Sequence, residues 1–273
     1  MLGSGTGSFW ADPVVARPAL NAADSAADAA GHLQAIKERG ELVVLCFPRQ
    51  DGVFVRAMVE EHGQAGLHIF GGVDIDLLGE FARDLGVELR VVPAPIDELV
   101  SRLRNGEGDV IAGGFVMTRK RASMVEFSQA YISTTEVLVT RRQDGFQTLD
   151  DLKGKVGSVI GGSSHHEFLQ SLEIPDIRVH TVSFALEQLL ALSDGDADFA
   201  VLSMTSMDKL FAEYPEFAEN LVMLHEFPGA IQAGFAFPPG SNAVEALNQF
   251  LDGAQGHRKI EAAFAKNRRP GAR

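Results

Sequence analysis

The sequence predicts an α/β fold of two lobes, each a mostly parallel sheet with flanking helices, joined by a two-stranded hinge. Three observations carry that expectation. Short apolar runs at 42–47, 87–92 and 109–112 read as buried strands, and helical periods at 74–85 and 96–104 fall between them. Alternation of this kind means a parallel sheet with crossover helices. The pattern then restarts beyond the charged pair Arg141-Arg142, with strands at 155–160, 177–181 and 199–202 and helices at 164–172 and 184–192. Finally, a buried strand in each half stops in paired glycines, Gly113-Gly114 and Gly161-Gly162. They mark the carboxyl edge of a sheet, where open α/β sheets bind ligands.

Residues 1–31 are rich in Ala, Gly, Asp and Ser without a steady period, and read as a flexible tail with a short Ala-rich helix at 22–30. A helix over 32–39 ends at Gly40, an ordinary glycine stop. A loop of polar and small residues is expected from the end of the first strand to Gly72. The helix over 74–85 places Ile75, Leu77, Leu78, Phe81, Ala82 and Leu85 on one face and stops at Gly86. The apolar run Val137-Leu138-Val139-Thr140 is expected to make the first crossing between lobes. Phe235-Ala236-Phe237-Pro238 reads as a strand returning to the first lobe, with helices at 243–251 and 257–266 after it. The expected division is a tail (1–31), a discontinuous first lobe (32–139 and 232–268) and a second lobe (140–231). Hinge strands near Thr140 and at 231–234 leave a cleft that can close over a ligand.

The chain of 273 residues is long enough for two lobes of ordinary size. Its 45% apolar content and mean hydropathy of +0.03 allow a sizeable core and argue against wholesale disorder. A net charge of -13 and a pI near 5.0 argue against nucleic acid, whose binding needs a basic face. An anionic ligand must therefore be drawn by local cations. Cys46 is the sole cysteine, so no internal disulfide forms, and its apolar surroundings predict a buried, inert thiol. No apolar segment reaches the length of a membrane span, and residues 1–31 lack the apolar core of a signal peptide.

The most informative stretch is Met117-Thr118-Arg119-Lys120-Arg121, just beyond Asp109-Val110-Ile111-Ala112-Gly113-Gly114. It sets a hydroxyl and a guanidinium together at a strand's carboxyl edge. A guanidinium's planar fork suits a carboxylate held by two bonds. Thr118 equally suits the cap of a helix beginning at Arg119, and the two roles are compatible. Arg119 and Lys120 face solvent or steer the anion. In the other half, Gly161-Gly162-Ser163-Ser164 is a strand-to-helix turn whose backbone N–H groups point outward. Ser163 and Ser164 are donors there, or one of them merely caps the helix. Phe47, Phe54 and Phe115 are candidate aromatic walls or plain core. His165-His166-Glu167 invites a metal reading, but neighbours on a helix point about 100° apart and share one ion poorly. His62 and His68 have no partner spacing. No Ser/His/Asp or paired-carboxylate spacing stands out.

These motifs, in order, resemble the periplasmic solute-binding proteins of amino-acid uptake systems, bacterial extracellular solute-binding protein family 3. Glu41-Leu42-Val43-Val44-Leu45 resembles the opening strand, and Gly72-Val73-Asp74-Ile75-Asp76-Leu77 the turn into the first long helix. Thr148-Leu149-Asp150-Asp151-Leu152-Lys153-Gly154 resembles the entry to the second lobe, and Asp194-Gly195-Asp196-Ala197-Asp198-Phe199-Ala200-Val201-Leu202 the strand before the last ligand contact. The resemblance covers roughly residues 33 to 267. It implies a Venus-flytrap protein in which Arg121 grips a ligand carboxylate, Thr118 and Phe115 stand beside it, and Ser164 and Ser163 meet it from the other lobe. It further implies no cofactor, no catalysis, a monomer, an extracytoplasmic location, and delivery of a small carboxylate to a membrane permease of the ABC type. Two positions depart from the pattern. The family's acidic residue for a ligand ammonium aligns with Ser203, and its small hydroxyl residue before the Thr-x-x-Arg turn aligns with Val116. Without that carboxylate an ammonium is unfavourable in a desolvated cleft. The expected ligand is therefore a small carboxylate, either an amino acid, with Asp74 or Asp51 substituting for the lost acid, or an organic acid lacking the amine. The resemblance extends to the amino-terminal half of membrane-bound lytic transglycosylases and to receptor sensing domains. It also extends to dehydratases acting on prephenate-like acids, whose catalytic acid aligns with His165.

Overall fold

The computed structural model describes residues 31–47, 53–62, 65–229 and 231–267. The expected tail over 1–31, with its helix at 22–30, lies outside these residues apart from Gly31, as does Asp51. Helix α1 (His32–Arg39) enters β1 (Glu41–Cys46) through Gly40, whose φ of 75° is left-handed and whose N–H reaches back to the carbonyls of Ile36 and Lys37. The stretch expected as loop holds a hairpin, β2 (Arg56–His62) against β3 (Ala65–Gly71). The hairpin pairs with itself and joins neither main sheet.

Next come α2 (Val73–Leu85), β4 (Glu88–Pro93), α3 (Leu99–Arg104), β5 (Val110–Ala112), the short α4 (Arg119–Ala122) and β6 (Glu126–Phe127). The first sheet runs β4-β1-β5-β14-β6, where β14 (Ala236–Phe237) arrives from near the end of the chain. β1 lies parallel to β4 and β5, and β14 antiparallel to β5 and β6. Leu42, Val44 and Val110 face α2 and the closing helices α9 (Ala243–Leu251) and α10 (Gly253–Asn267). Val43, Leu45 and Ile111 face α3 and Phe115. Side chains alternating across buried strands thus give the lobe a core on each face.

The second lobe repeats the plan with β8 (Glu136–Arg141), β9 (Val156–Ile160), α5 (Ser164–Ser171), β10 (Arg178–Val182), α6 (Ala185–Asp194), β11 (Phe199–Ser203), α7 (Met204–Glu213), α8 (Pro215–Asn220) and β12 (Leu221–Glu226). Its sheet runs β10-β9-β11-β8-β12, with β9 parallel to its neighbours and β8 antiparallel to both of its own. The crossing expected at 137–140 is corrected by this pairing. Leu138, Val139 and Thr140 pair with Val201, Ala200 and Phe199, so the whole of β8 belongs to the second lobe. The chain crosses earlier, in β7 (Ile132–Thr134), which pairs antiparallel with the returning β13 (Ile231–Ala233).

The carboxyl ends of β1, β5 and β9 point into the cleft between the lobes. At the opposite end of β5, buried Asp109 accepts a hydrogen bond from the Val43 N–H at 2.7 Å and an ion pair from Arg39. His32 Nε2 lies 3.1 Å from its other oxygen, and His32 Nδ1 lies 2.6 Å from Ser241 Oγ. A serine, histidine and aspartate are therefore in line, but Ser241 is buried and far from the cleft, so the chain of bonds clamps α1 and the start of α9 onto the sheet. Removing one member of a buried ion pair strands the other. Asp109→Ala is expected to lose about 3 kcal/mol of unfolding free energy in denaturant titration, with affinity at the cleft unchanged. A loss under about 1 kcal/mol would show the clamp to be unimportant.

Candidate functional site

The site is built on the residues just beyond β5. Gly113 and Gly114 take φ of 119° and 62°, a path L side chains rarely adopt. Both of their N–H groups donate to one oxygen of Asp74, at 2.7 and 3.0 Å. The other oxygen of Asp74 accepts from the Tyr131 hydroxyl at 2.5 Å. Asp74 is fully buried in the first turn of α2 and does not line the cleft, so its expected role as ligand contact or ammonium partner is corrected. Its carboxylate is consumed by the glycine turn and the hinge tyrosine.

That turn presents Phe115 and leads to α4. Thr118 Oγ1 accepts from the Arg121 N–H at 3.2 Å and caps α4. It too is absent from the cleft lining, so of its two expected roles only the cap is seen. Arg121 is 9% exposed. One of its terminal nitrogens donates to the Val116 carbonyl at 3.0 Å, and its guanidinium carbon sits 4.0 Å from the centre of the Phe115 ring. Phe115 stacks in turn on Phe127 at 5.8 Å. Burial lowers the Arg121 pKa to about 10, partly offset by the charge of Glu167, so the group stays cationic at neutral pH. Among the described residues it makes no ion pair within 4.0 Å, and a fork with five donors is left largely free on the cleft side.

The second lobe answers with the turn after β9. Ser163 caps α5, its hydroxyl accepting from the His166 N–H at 3.2 Å while donating to the Ile160 carbonyl at 2.7 Å. Ser164 is buried at the start of the helix. Ser203 likewise caps α7, accepting from the Ser206 N–H at 3.2 Å and donating to Ser206 Oγ at 2.9 Å. Arg121, Phe115 and Phe47 of one lobe and Ser163, Ser164 and Ser203 of the other thus line a single cleft of about 710 Å³, counted to its open mouth. Phe54 lines it too, and the structure adds Ile96, Thr134 and Ser206, which sequence does not single out. The lobes touch at the rim, where Lys120 pairs with Glu167 at 3.1 Å. Gly162 lies so near Ile96 that a Cβ there would sit 3.2 Å from its methyl.

His165 lines the cleft while the His166 ring turns back toward the Gly162 N–H at 3.4 Å and Gln170 at 3.3 Å, so the two do not converge on one point. Among the described residues no three His, Cys, Asp or Glu side chains gather as a metal site, and no helix is long and apolar enough to cross a membrane. The side chains of His62 and His68 lie outside the described part of the structure. Cys46 is buried, and its thiol is pushed far above the usual range, chiefly by burial and then by the charge of Asp74. It is inert.

Sequence reasoning does not find Glu136. It is 5% exposed and stands directly opposite Ser203 in the β8–β11 register. Only that pairing draws attention to it.

The chain belongs to the bacterial extracellular solute-binding proteins, family 3, which it matches over residues 62–267. It is 31% identical over 203 residues to a membrane-bound lytic murein transglycosylase F of Alcanivorax borkumensis, covering 72% of this chain and 41% of that protein. The chain thus spans about two fifths of that relative's length. It is 27% identical over 187 residues to a probable histidine-binding protein of Campylobacter jejuni, covering 67% and 71% of the two chains. Among solved structures, holo ArgBP of T. maritima superposes with a TM-score of 0.68 at 29% identity, covering 85% of this chain and 99% of that one. The two-lobed fold is shared with these amino-acid-binding proteins.

Burial raises the pKa of Asp74 from 3.8 to about 6, against the opposing hydrogen bonds of Tyr131, Gly113 and Gly114, and raises Glu136 from 4.5 to about 7. The folded chain then holds protons that the unfolded chain has released. Stability from this source is complete below the unfolded pKa values and is lost as pH rises through the folded ones. Unfolding free energy is expected to fall between pH 4.5 and 7, and Glu136→Gln to remove about 2 kcal/mol of that fall. Parallel pH profiles for the two proteins would contradict the assignment.

Proposed function

We propose that the cleft holds the carboxylate of a small ligand between Arg121 and the turn of Gly162, Ser163 and Ser164, and that the chain is a binding module with no catalytic step of its own. The supporting observation is Arg121 itself: a cation buried against Phe115, turned to the cleft, with a backbone carbonyl as its hydrogen-bond acceptor. A buried charge is costly until a counter-charge reaches it, and a bound carboxylate supplies one. The N–H groups at the start of α5 face the same space from the other lobe. A ligand touching both lobes favours the closed form over the open one by its differential affinity. Phe47, Phe54 and Ile96 supply an apolar wall for the rest of the ligand.

Delivery to a membrane permease from an extracytoplasmic location is the role this reading gives the chain. A second reading is supported by the 41% coverage of the transglycosylase relative: the same cleft serves as the ligand-sensing part of a longer membrane-bound protein. The Ser241–His32–Asp109 chain supplies no triad to this cleft, because it lies at the opposite end of the sheet.

A thermal-shift screen of amino, keto, hydroxy and dicarboxylic acids tests the carboxylate. A binder at a hundredfold its dissociation constant adds about 2.7 kcal/mol of stability. Arg121→Ala is expected to cost about 2–5 kcal/mol of affinity for the winning compound by calorimetry. Unchanged affinity would remove Arg121 from the site.

A further inference from the structure

We propose that the cleft takes a dicarboxylate that lacks an ammonium group, with Arg121 meeting one carboxylate and Thr134, Ser206 and His165 meeting the other. The inference rests on the carboxylate reading of Arg121 and deepens it by naming the class of ligand.

The charge of the lining points to an anion at both ends. Among the described residues that line the cleft none is acidic, and the two that can carry charge, Arg121 and His165, are both basic and come from opposite lobes. The second lobe also brings the starts of α5 and α7 to this wall, the positive ends of two helices. An ammonium entering such a site gives up its water and finds no counter-charge. Glu136, paired across the strands with Ser203, is outside the lining. Burial pushes its pKa to about 7, so below that pH it adds little negative charge behind the wall. At the rim Lys120 and Glu167 answer each other, which leaves the interior positive.

The direction of the hydrogen bonds agrees with the charge. Thr134 Oγ1 accepts from the Thr205 N–H at 3.3 Å and from the Thr205 hydroxyl at 3.1 Å. Both of its lone pairs are then engaged, and its own proton is what it has left for the cleft. Ser203 Oγ accepts from the Ser206 N–H and passes its proton to Ser206 Oγ, so the Ser206 proton is left over in the same way. Ser163 spends its proton on the Ile160 carbonyl. The hydroxyls still available on this wall therefore donate. Donors beside a positive charge suit the oxygens of a carboxylate, whereas an ammonium brings only donors of its own. Thr134 ends the hinge strand β7, Ser206 lies in the first turn of α7, and Thr205 ties the two together. This donor pair belongs to other elements than the turn of Gly162, Ser163 and Ser164, so it serves a second carboxylate.

Calorimetry at pH 6, where Glu136 is mostly protonated, tests the proposal with succinate and glutarate. Their comparators are the monocarboxylates butyrate and pentanoate, of the same lengths, and the amino counterparts aspartate and glutamate. At least one dicarboxylate is expected to bind about tenfold or more tightly than both its monocarboxylate and its amino counterpart. Ser206→Ala and His165→Gln are each expected to weaken that dicarboxylate about fivefold or more and the monocarboxylate less than about twofold. Melting curves check that both variants fold. A preference left unchanged by both variants, or a monocarboxylate or amino acid bound as tightly as its dicarboxylate, overturns the proposal. The Arg121 reading survives that failure if Arg121→Ala still weakens whichever acid binds. Binding of none of these compounds overturns the dicarboxylate, and the wider acid screen then judges Arg121 by itself.

Discussion

The cleft depends on one carboxylate that never meets it. Asp74 gathers the N–H groups of Gly113 and Gly114 and the hydroxyl of Tyr131, so a helix start, a strand end and a hinge entrance share one buried anion. Tyr131 also donates its backbone N–H to the Ala233 carbonyl and stacks on Phe235 at 4.8 Å, which carries the tie into the returning strand. Without this knot, nothing local would hold two glycines in left-handed conformations, and Phe115 and Arg121 take their positions from those glycines. Three donors offset part of the cost of burying this acid so deep in the first lobe, though burial still pushes its pKa up to about 6.

The two sides of the cleft use their polar groups differently. On the first lobe a single guanidinium is stacked and oriented while most of its donors stay free. On the second lobe the hydroxyls of Ser163 and Ser203 are already engaged in capping, which fixes the helix starts and aims backbone N–H groups outward. One wall offers charge and the other offers dipoles. Such an arrangement discriminates by electrostatics more than by shape, with Phe47, Phe54 and Ile96 left to measure the size of what enters.

Much of this is legible in the chain and some is not, for physical reasons. Helix stops at Gly40 and Gly86 are local chemistry and read directly. Arg121 is legible because a strand ending in glycines has few other uses. Sequence misplaces the crossing between lobes because Val137-Leu138-Val139-Thr140 is as apolar as any central strand, and nothing in it says which sheet claims it. The true hinge, β7, is three residues long and has no pattern to read. Residues 204–226 hold two helices and an edge strand that sequence reasoning leaves unassigned, although Met204, Met207, Leu210 and Phe211 recur at helical spacing. Asp74 reads as an acid at a helix start, but whether it faces ligand or backbone is decided by neighbours 39 and 57 residues away.

The position of β14 carries a consequence for how the molecule is made. Ala236 and Phe237 fill the gap between β5 and β6, in the middle of a sheet whose other strands all precede Ile132. During synthesis the leading lobe emerges with that slot vacant, and it cannot be closed until the trailing lobe has left the ribosome. Two strand edges in the nascent protein thus stay open while the whole of the second lobe is translated, and the order of assembly is written into the threading.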